Sequence, residues 1–128
     1  MSNFVKRNFT DPVVYTNIFF LVPLVLLGQK DILYSLIILC VFIFSSALHL
    51  SKEKRFKKTD TLFALILISY NLYIFSLSGF LTIYFIIAIA VSIFAIYFYL
   101  NSSKNYVLHH SLWHILSSII TTMAVLSI

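Results

Sequence analysis

Five apolar runs of 17 to 23 residues take up almost the whole chain, joined by links of ten residues or fewer. They fall at Pro12–Gly28, Asp31–Leu50, Thr61–Leu77, Gly79–Leu100 and Tyr106–Ile128. Each is long enough to cross the hydrocarbon core of a bilayer, roughly 30 Å thick, which takes about 17–25 helical residues. A bilayer offers unpaired backbone groups no partner, so a spanning segment is either a helix or a strand of a closed barrel. The alternation that a barrel strand needs is missing. The expected fold is therefore an all-α integral membrane protein. The links Gln29-Lys30, Ser51–Asp60, Ser78 and Asn101–Asn105 are short enough to force antiparallel neighbours. This gives an up-down bundle of about five transmembrane helices. With 61% hydrophobic and 10% charged residues there is no stretch left for a soluble module, and residues 1–128 are expected to form a single transmembrane domain.

Charge then orients the bundle. The net charge of +5 does not point to nucleic acid, because the basic residues sit between the apolar spans, where they set topology. By alternation the N-terminus, the Ser51–Asp60 link and the Asn101–Asn105 link share one side. That side holds Lys6, Arg7, Lys52, Lys54, Arg55, Lys57, Lys58 and Lys104, and only Lys30 falls on the other. The excess of Lys and Arg predicts a cytoplasmic N-terminus in a multi-pass protein, with Ile128 outside or lumenal. The same cluster attracts anionic headgroups at about 1 kcal/mol per basic residue. No cleavable signal with a small-residue exit is visible, so the first span is expected to be retained. Cys40 is a lone cysteine inside an apolar run and reads as a packing residue, with no disulfide framework. The triplets Asn8-Phe9-Thr10 and Asn101-Ser102-Ser103 match the glycosylation pattern but lie on the cytoplasmic side, where neither is expected to be used.

The residues that carry chemistry gather on that side as well. His49 ends the second span, with Ser45 one turn deeper. Asp60 opens the third, and His109, His110 and His114 lie early in the fifth. At about 1.5 Å per residue, His110 is about 6 Å and His114 about 12 Å into its helix. Ionisable groups at membrane depth are costly, so they are functional candidates by default. His110 and His114 are spaced i, i+4, which puts both imidazoles on one face, close enough to share an ion. His49 from another helix makes three protein ligands and leaves a fourth tetrahedral position for water, the composition of a catalytic zinc site. Zinc brings the pKa of a bound water toward about 7; Asp60 could take or orient its proton, and Ser45 could hydrogen-bond the water or a substrate oxygen.

Each residue also has a plainer reading when taken singly. His49 would then be an interfacial histidine, and Asp60 an N-cap or first-turn residue favoured by the helix dipole. The case for a metal site rests on their conjunction at one side and one depth. His109 points about 100° from His110 and reads as second-shell, interfacial or incidental. Trp113, between the two histidines, is expected to pack against them. Ser69, Tyr70, Asn71, Ser117, Ser118, Thr121 and Thr122 could line a cavity or bond helix to helix. The fourth span offers only Thr82 and Ser92 and reads as scaffold.

Ser45-Ser46-Ala47-Leu48-His49, then Asp60, then His110-Ser111-Leu112-Trp113-His114 resemble the signature of the CREST superfamily of membrane hydrolases. That superfamily includes alkaline ceramidases, progestin and adipoQ receptors, and hemolysin III-like proteins. Its pattern is Ser-x3-His closing one helix, Asp opening the next, and His-x3-His in the last. The resemblance implies that His49, His110 and His114 bind zinc, that Asp60 contacts the zinc-bound water and that Ser45 supports the site. It also implies hydrolysis of an amide bond in a membrane lipid such as ceramide. Relatives usually have seven helices. Five here means one pair fewer between the Asp helix and the His-x3-His helix, which preserves the parity that brings the ligands together. The lipid-enclosing wall would then belong to a compact variant or be completed by a homodimer.

Three functions follow from these residues. The leading one is a zinc-dependent hydrolase cleaving an amide or ester bond in a lipid, with its metal site near the cytoplasmic face. The second is a non-catalytic, metal-stabilised membrane receptor or scaffold with the same ligands. The third, least favoured, is a haem-binding cytochrome. A porphyrin between helices needs small residues for close approach, and only Gly28 and Gly79 are present, both at helix ends.

Overall fold

The computed structural model describes residues 7–51 and 54–128; Lys6 and Lys52, counted above toward topology, lie outside them. The described residues are helical throughout, with no strand. The first apolar run is an interrupted helix: α1 (Pro12–Tyr15), a 3₁₀ turn (Thr16–Phe20) and α2 (Leu21–Leu27). Asp11 caps α1 by accepting from the Val13 N–H, and Pro12 sits at the first turn, where its missing donor costs nothing. The interruption has a cause in Pro23. Its ring has no N–H for the Phe19 carbonyl one turn back and crowds it, so the preceding residues wind tighter.

The remaining helices are α3 (Ile32–Leu50), α4 (Lys54–Leu77), α5 (Ile83–Leu100) and α6 (Tyr106–Leu126). Asp31, Thr82 and Asn105 cap α3, α5 and α6 through side-chain oxygens. Two boundaries differ from the hydropathy reading. The third helix starts at Lys54 and not at Thr61, because hydropathy marks where the chain becomes greasy while Lys, Arg and Phe extend a helix in water equally well. The fourth starts at Ile83 and not at Gly79. Gly79 and Phe80 both take positive φ (78° and 58°), with the Phe80 N–H donating back to the Phe75 carbonyl, and this closes α4 before the chain reverses.

Cross-helix pairs give the packing directions. Tyr34 meets Tyr70 and Asn71, and Phe44 stacks on Phe63, so α3 and α4 run antiparallel. Phe98 meets His109 and Tyr99 meets Trp113 beside the five-residue Asn101–Asn105 turn, which folds α6 back along α5 as a second antiparallel pair. α6 is central, packed against α1, the 3₁₀ turn, α2, α4 and α5. Its partner α5 approaches it through the small buried residues Ala88 and Ala95.

Three helices are long and apolar enough to cross a membrane: α3, Arg55–Leu77 of α4, and α5. The first run is shorter, and α6, with its three histidines and five serine and threonine residues, is less apolar. The outer surface is greasy on every element: Val25, Leu36, Ile68, Ile93 and Leu108 are all exposed. Polar residues such as Ser45, Asn71, Ser118 and Thr121 are buried instead. An apolar outside around a polar inside is consistent with a membrane protein.

At one end of the bundle this polar interior forms a closed layer. The Tyr34 hydroxyl donates to Asn71 Oδ1, Asn71 Nδ2 donates to Thr121 Oγ1 at 3.1 Å, and the Thr121 hydroxyl donates to the Ser117 carbonyl at 3.1 Å. The layer ties α3, α4 and α6 together. Asn71→Leu removes both central bonds and leaves the Tyr34 hydroxyl only the Thr121 carbonyl, 3.5 Å away, so it should destabilise the detergent-solubilised protein by about 1–2 kcal/mol. Unfolding in a denaturing-detergent titration reads this directly, with metal content expected to stay as in wild type.

Candidate metal centre

At the opposite end of α3, and one turn into α6, three imidazoles converge. The i, i+4 spacing stacks His110 and His114 on one face of α6, with ring centroids 4.6 Å apart. α3, running the other way, brings His49 to 4.9 Å from His110 and 5.4 Å from His114. One ring nitrogen from each residue lies within 4.8 Å of the others. The three histidines are therefore close enough to bind one metal ion. His49 and His114 are buried and His110 is half-buried.

The donor atoms fit such an ion. His110 Nε2 and His49 Nε2 are 3.2 Å apart. Two nitrogens on a tetrahedral zinc at about 2.0–2.1 Å would be separated by about 3.3–3.4 Å. His114 is held in the tautomer that a ligand needs. The Thr16 hydroxyl donates to the Pro12 carbonyl at 2.6 Å, so its oxygen can only accept from His114 Nδ1–H, 3.2 Å away. That leaves His114 Nε2 without a proton and facing the other two rings. A second-shell bond of this kind, fixing the ring and its tautomer, is what metal-ligating histidines usually have.

Ser45 Oγ stands 3.5 Å from His114 Nε2 and is also the side-chain hydrogen-bond partner of Asp60. Asp60 itself lies outside the ligand cluster, reaching the histidines through Ser45. It is not the first-turn or capping residue that the hydropathy boundary suggested. Because α4 begins at Lys54, Asp60 sits in the second turn, half-buried, and its carboxylate satisfies no helix N-terminus.

One other expectation is revised. Trp113 turns away from the ligands; its ring lies against Tyr99 of α5, 5.0 Å away. His109 pairs through Nδ1 with the Asn101 carbonyl and packs on Phe98, closing the α5–α6 turn. The structure adds residues that the sequence reading did not single out. Tyr106 stacks on His110 (4.8 Å, 19° between planes), and the Arg7 guanidinium covers Tyr106 at 5.1 Å while pairing with Asp11 at 2.9 Å. The Arg7 backbone N–H donates to the His49 carbonyl at 3.0 Å, which ties Arg7 to the end of α3 beside the cluster. Thr16 carried one available signal: with Asn17 it is a polar pair inside an otherwise apolar run.

Compared with protein-family models, curated proteins and solved structures, this chain matches none of them. Thr16→Val keeps the side-chain shape and removes the side-chain acceptor for His114 Nδ1–H, leaving only the Val13 backbone to hold the ring. It should weaken metal binding about 10–100-fold while leaving the helix content unchanged. Competition with a chelator of known affinity, beside circular dichroism, measures both. His110→Ala should abolish stoichiometric binding altogether.

Proposed function

We propose that this chain is a zinc-dependent, ceramidase-like integral-membrane hydrolase that cleaves an amide or ester bond in a lipid. One observation carries the reading: a three-histidine cluster from two helices, with Ser45 placed between His114 and the Asp60 carboxyl, at one end of a greasy helical bundle. A structural metal needs the ligands alone, whereas the serine and carboxylate beside an open ligand set are what hydrolysis needs. We further propose five membrane passes with the N-terminus and the histidines toward the cytoplasm, in keeping with eight basic residues on that side against one on the other.

Zinc bound by His49, His110 and His114 supplies Lewis acidity toward a carbonyl oxygen and acidifies water at neutral pH. The chain's own residues do the rest. Asp60 accepts the proton of the attacking water and returns it to the leaving amine or alcohol. The Ser45 hydroxyl orients Asp60 and the water, and Thr16 keeps His114 in its ligating tautomer. The N-terminal segment, through Arg7 and Tyr106, screens the cluster from the aqueous side. The bilayer delivers the lipid, and a second copy of the chain could complete the wall that a missing helix pair leaves open. The cluster gathers three imidazoles, one more than the two axial positions of a haem iron, so the cytochrome reading gains nothing from it.

A metal-stabilised receptor or scaffold is favoured by one specific feature. Two open surface grooves, about 370 Å³ along Leu65–Tyr73 of α4 and about 300 Å³ beside Lys30 and Ser127, lie away from the histidines. Asp60→Asn separates the readings. Under the hydrolase reading, metal content measured by mass spectrometry stays at wild-type level. Turnover of an N-acylated amino-alcohol lipid in mixed micelles falls by about 10²–10⁴-fold. A wild-type protein that binds metal stoichiometrically and turns over neither amide- nor ester-linked lipids would leave the scaffold reading standing.

A further inference from the structure

Tyr106, His110 and His114 are spaced i, i+4, i+8, so their rings rise in one column along α6, with Tyr106 outermost toward the end of the bundle. The Tyr106 ring lies nearly flat on His110 and stands 6.5 Å from His49, so it covers two of the three ligands from that end. Arg7 in turn covers Tyr106. Its guanidinium carbon is 5.1 Å from the ring centroid, and Nη1 donates to Asp11 Oδ2 at 2.9 Å. Backbone bonds from the Arg7 N–H to the His49 carbonyl and from the Asp11 N–H to the Asn8 carbonyl, each 3.0 Å, fix the segment from Arg7 to Asp11 in this position.

This cover lies where an ion has to pass. The flanks of the bundle are apolar, with Leu36, Ile68, Ile93 and Leu108 exposed, and a cation does not readily cross the hydrocarbon that suits such flanks. A metal ion therefore reaches the cluster from the end of the bundle. Tyr106 and Arg7 stand first in its way there, above His110, the least buried of the three ligands. The cover is also marginal by construction. Arg7 Nε is buried with no hydrogen-bond partner among the described residues, so the closed position leaves a guanidinium donor dry that water would satisfy outside. Opposing that are a half-buried ion pair and a cation–π contact, each of modest strength. An element closed by so small a margin is open in a minor population.

We infer that Arg7, Asp11 and Tyr106 form a latch over the histidine cluster that sets how fast a metal ion enters and leaves. The latch adds no atom to the three-imidazole ligand set, so it acts on rates and not on affinity. Closed with or without the ion, it slows entry and release by the same factor. The pairing of its charges matters to this. Arg7 alone would repel an incoming cation and Asp11 alone would attract it, whereas the ion pair presents no net charge. The inference rests on the metal reading of the three histidines and not on hydrolysis, so zinc exchange tests it without any lipid.

The experiment follows zinc alone on the full chain in detergent, for wild type, Arg7→Gln, Asp11→Asn, the double variant of these two, and Tyr106→Leu. Release is read by stopped-flow mixing with a fluorescent chelator, at chelator concentrations where the rate has levelled off. Entry is read on metal-free protein and affinity by competition at equilibrium, with melting temperature alongside. Asp11→Asn keeps Oδ1 for the Val13 N–H and turns an amide nitrogen toward the guanidinium, so it opens the latch without uncapping α1. Both single variants should speed release by about three- to tenfold. Electrostatics alone would drive them apart, since one removes a positive and the other a negative charge near the ion. The double variant restores the charge balance. It should exchange no faster than the faster single, with entry and release raised together and affinity as in wild type. Tyr106→Leu should speed both steps as well. Faster release with entry unchanged and affinity lost in proportion overturns the latch and makes these residues a brace for His110. Opposite effects of the two single variants overturn it as a plain charge effect, and unchanged rates overturn it by placing the path of the ion elsewhere. If Arg7→Gln does not fold, Asp11→Asn decides by the same criteria. If wild type holds no zinc, the latch falls with the metal site. Faster exchange in the variants of a protein that turns over no lipid supports the latch while the hydrolase reading fails.

Discussion

Polar groups buried in this bundle can pair only with other protein atoms, and that constraint organises the rest of the structure. The inner face of α6 carries Ser111, His114, Ser118 and Thr121 at helical spacing, all buried. A helix with such a face has no stable place at the edge of an apolar bundle, where these groups would meet lipid. At the centre they meet a different helix at each level: Thr16 from the first run and Ser45 from α3 reach His114, and Asn71 from α4 reaches Thr121. α5 offers α6 no such partner. It packs through Ala88 and Ala95, and its one buried-side hydroxyl, Ser92, bonds its own Ala88 carbonyl. It can therefore be the greasiest helix of the chain, with α6 as its principal neighbour.

The parts of the site legible in the sequence are those set by rigid helical geometry. Spacing i, i+4 puts His110 and His114 together whatever the tertiary packing, and the parity of short links decides that His49 ends at the same end of the bundle. The meeting of the three rings needed only those two facts. Asp60 was placed at the right level but at the wrong point of its helix, because hydropathy cannot see the water-soluble turns that precede an apolar stretch. Trp113 was misjudged because adjacency in sequence says little about direction on a helix. At 100° per residue its ring faces α5, away from the histidines on either side of it in the chain.

Thr16 and Asn17 were illegible for another reason. Both are buried although neighbours on a helix point in different directions, and no propensity foretells a partner 98 residues away. The orienting group of a metal ligand is commonly a hydroxyl or carbonyl with no chemistry of its own. It stands out only once the ligand it holds is on the page.

The bundle holds two buried asparagines, and their contrast bears on what each end is for. Asn71 sits in a layer whose donors and acceptors are matched, Tyr34 giving to its oxygen and Thr121 taking from its nitrogen. Asn17 is more deeply buried and matched to nothing among the described residues. A fully satisfied polar layer rigidifies and fixes register, whereas a half-satisfied one weakens the fold that carries it. One end of this protein is therefore built as a clamp across α3, α4 and α6. The other gathers three imidazoles with Ser45 and, through it, the Asp60 carboxylate, groups that a bound ion rather than one another would satisfy.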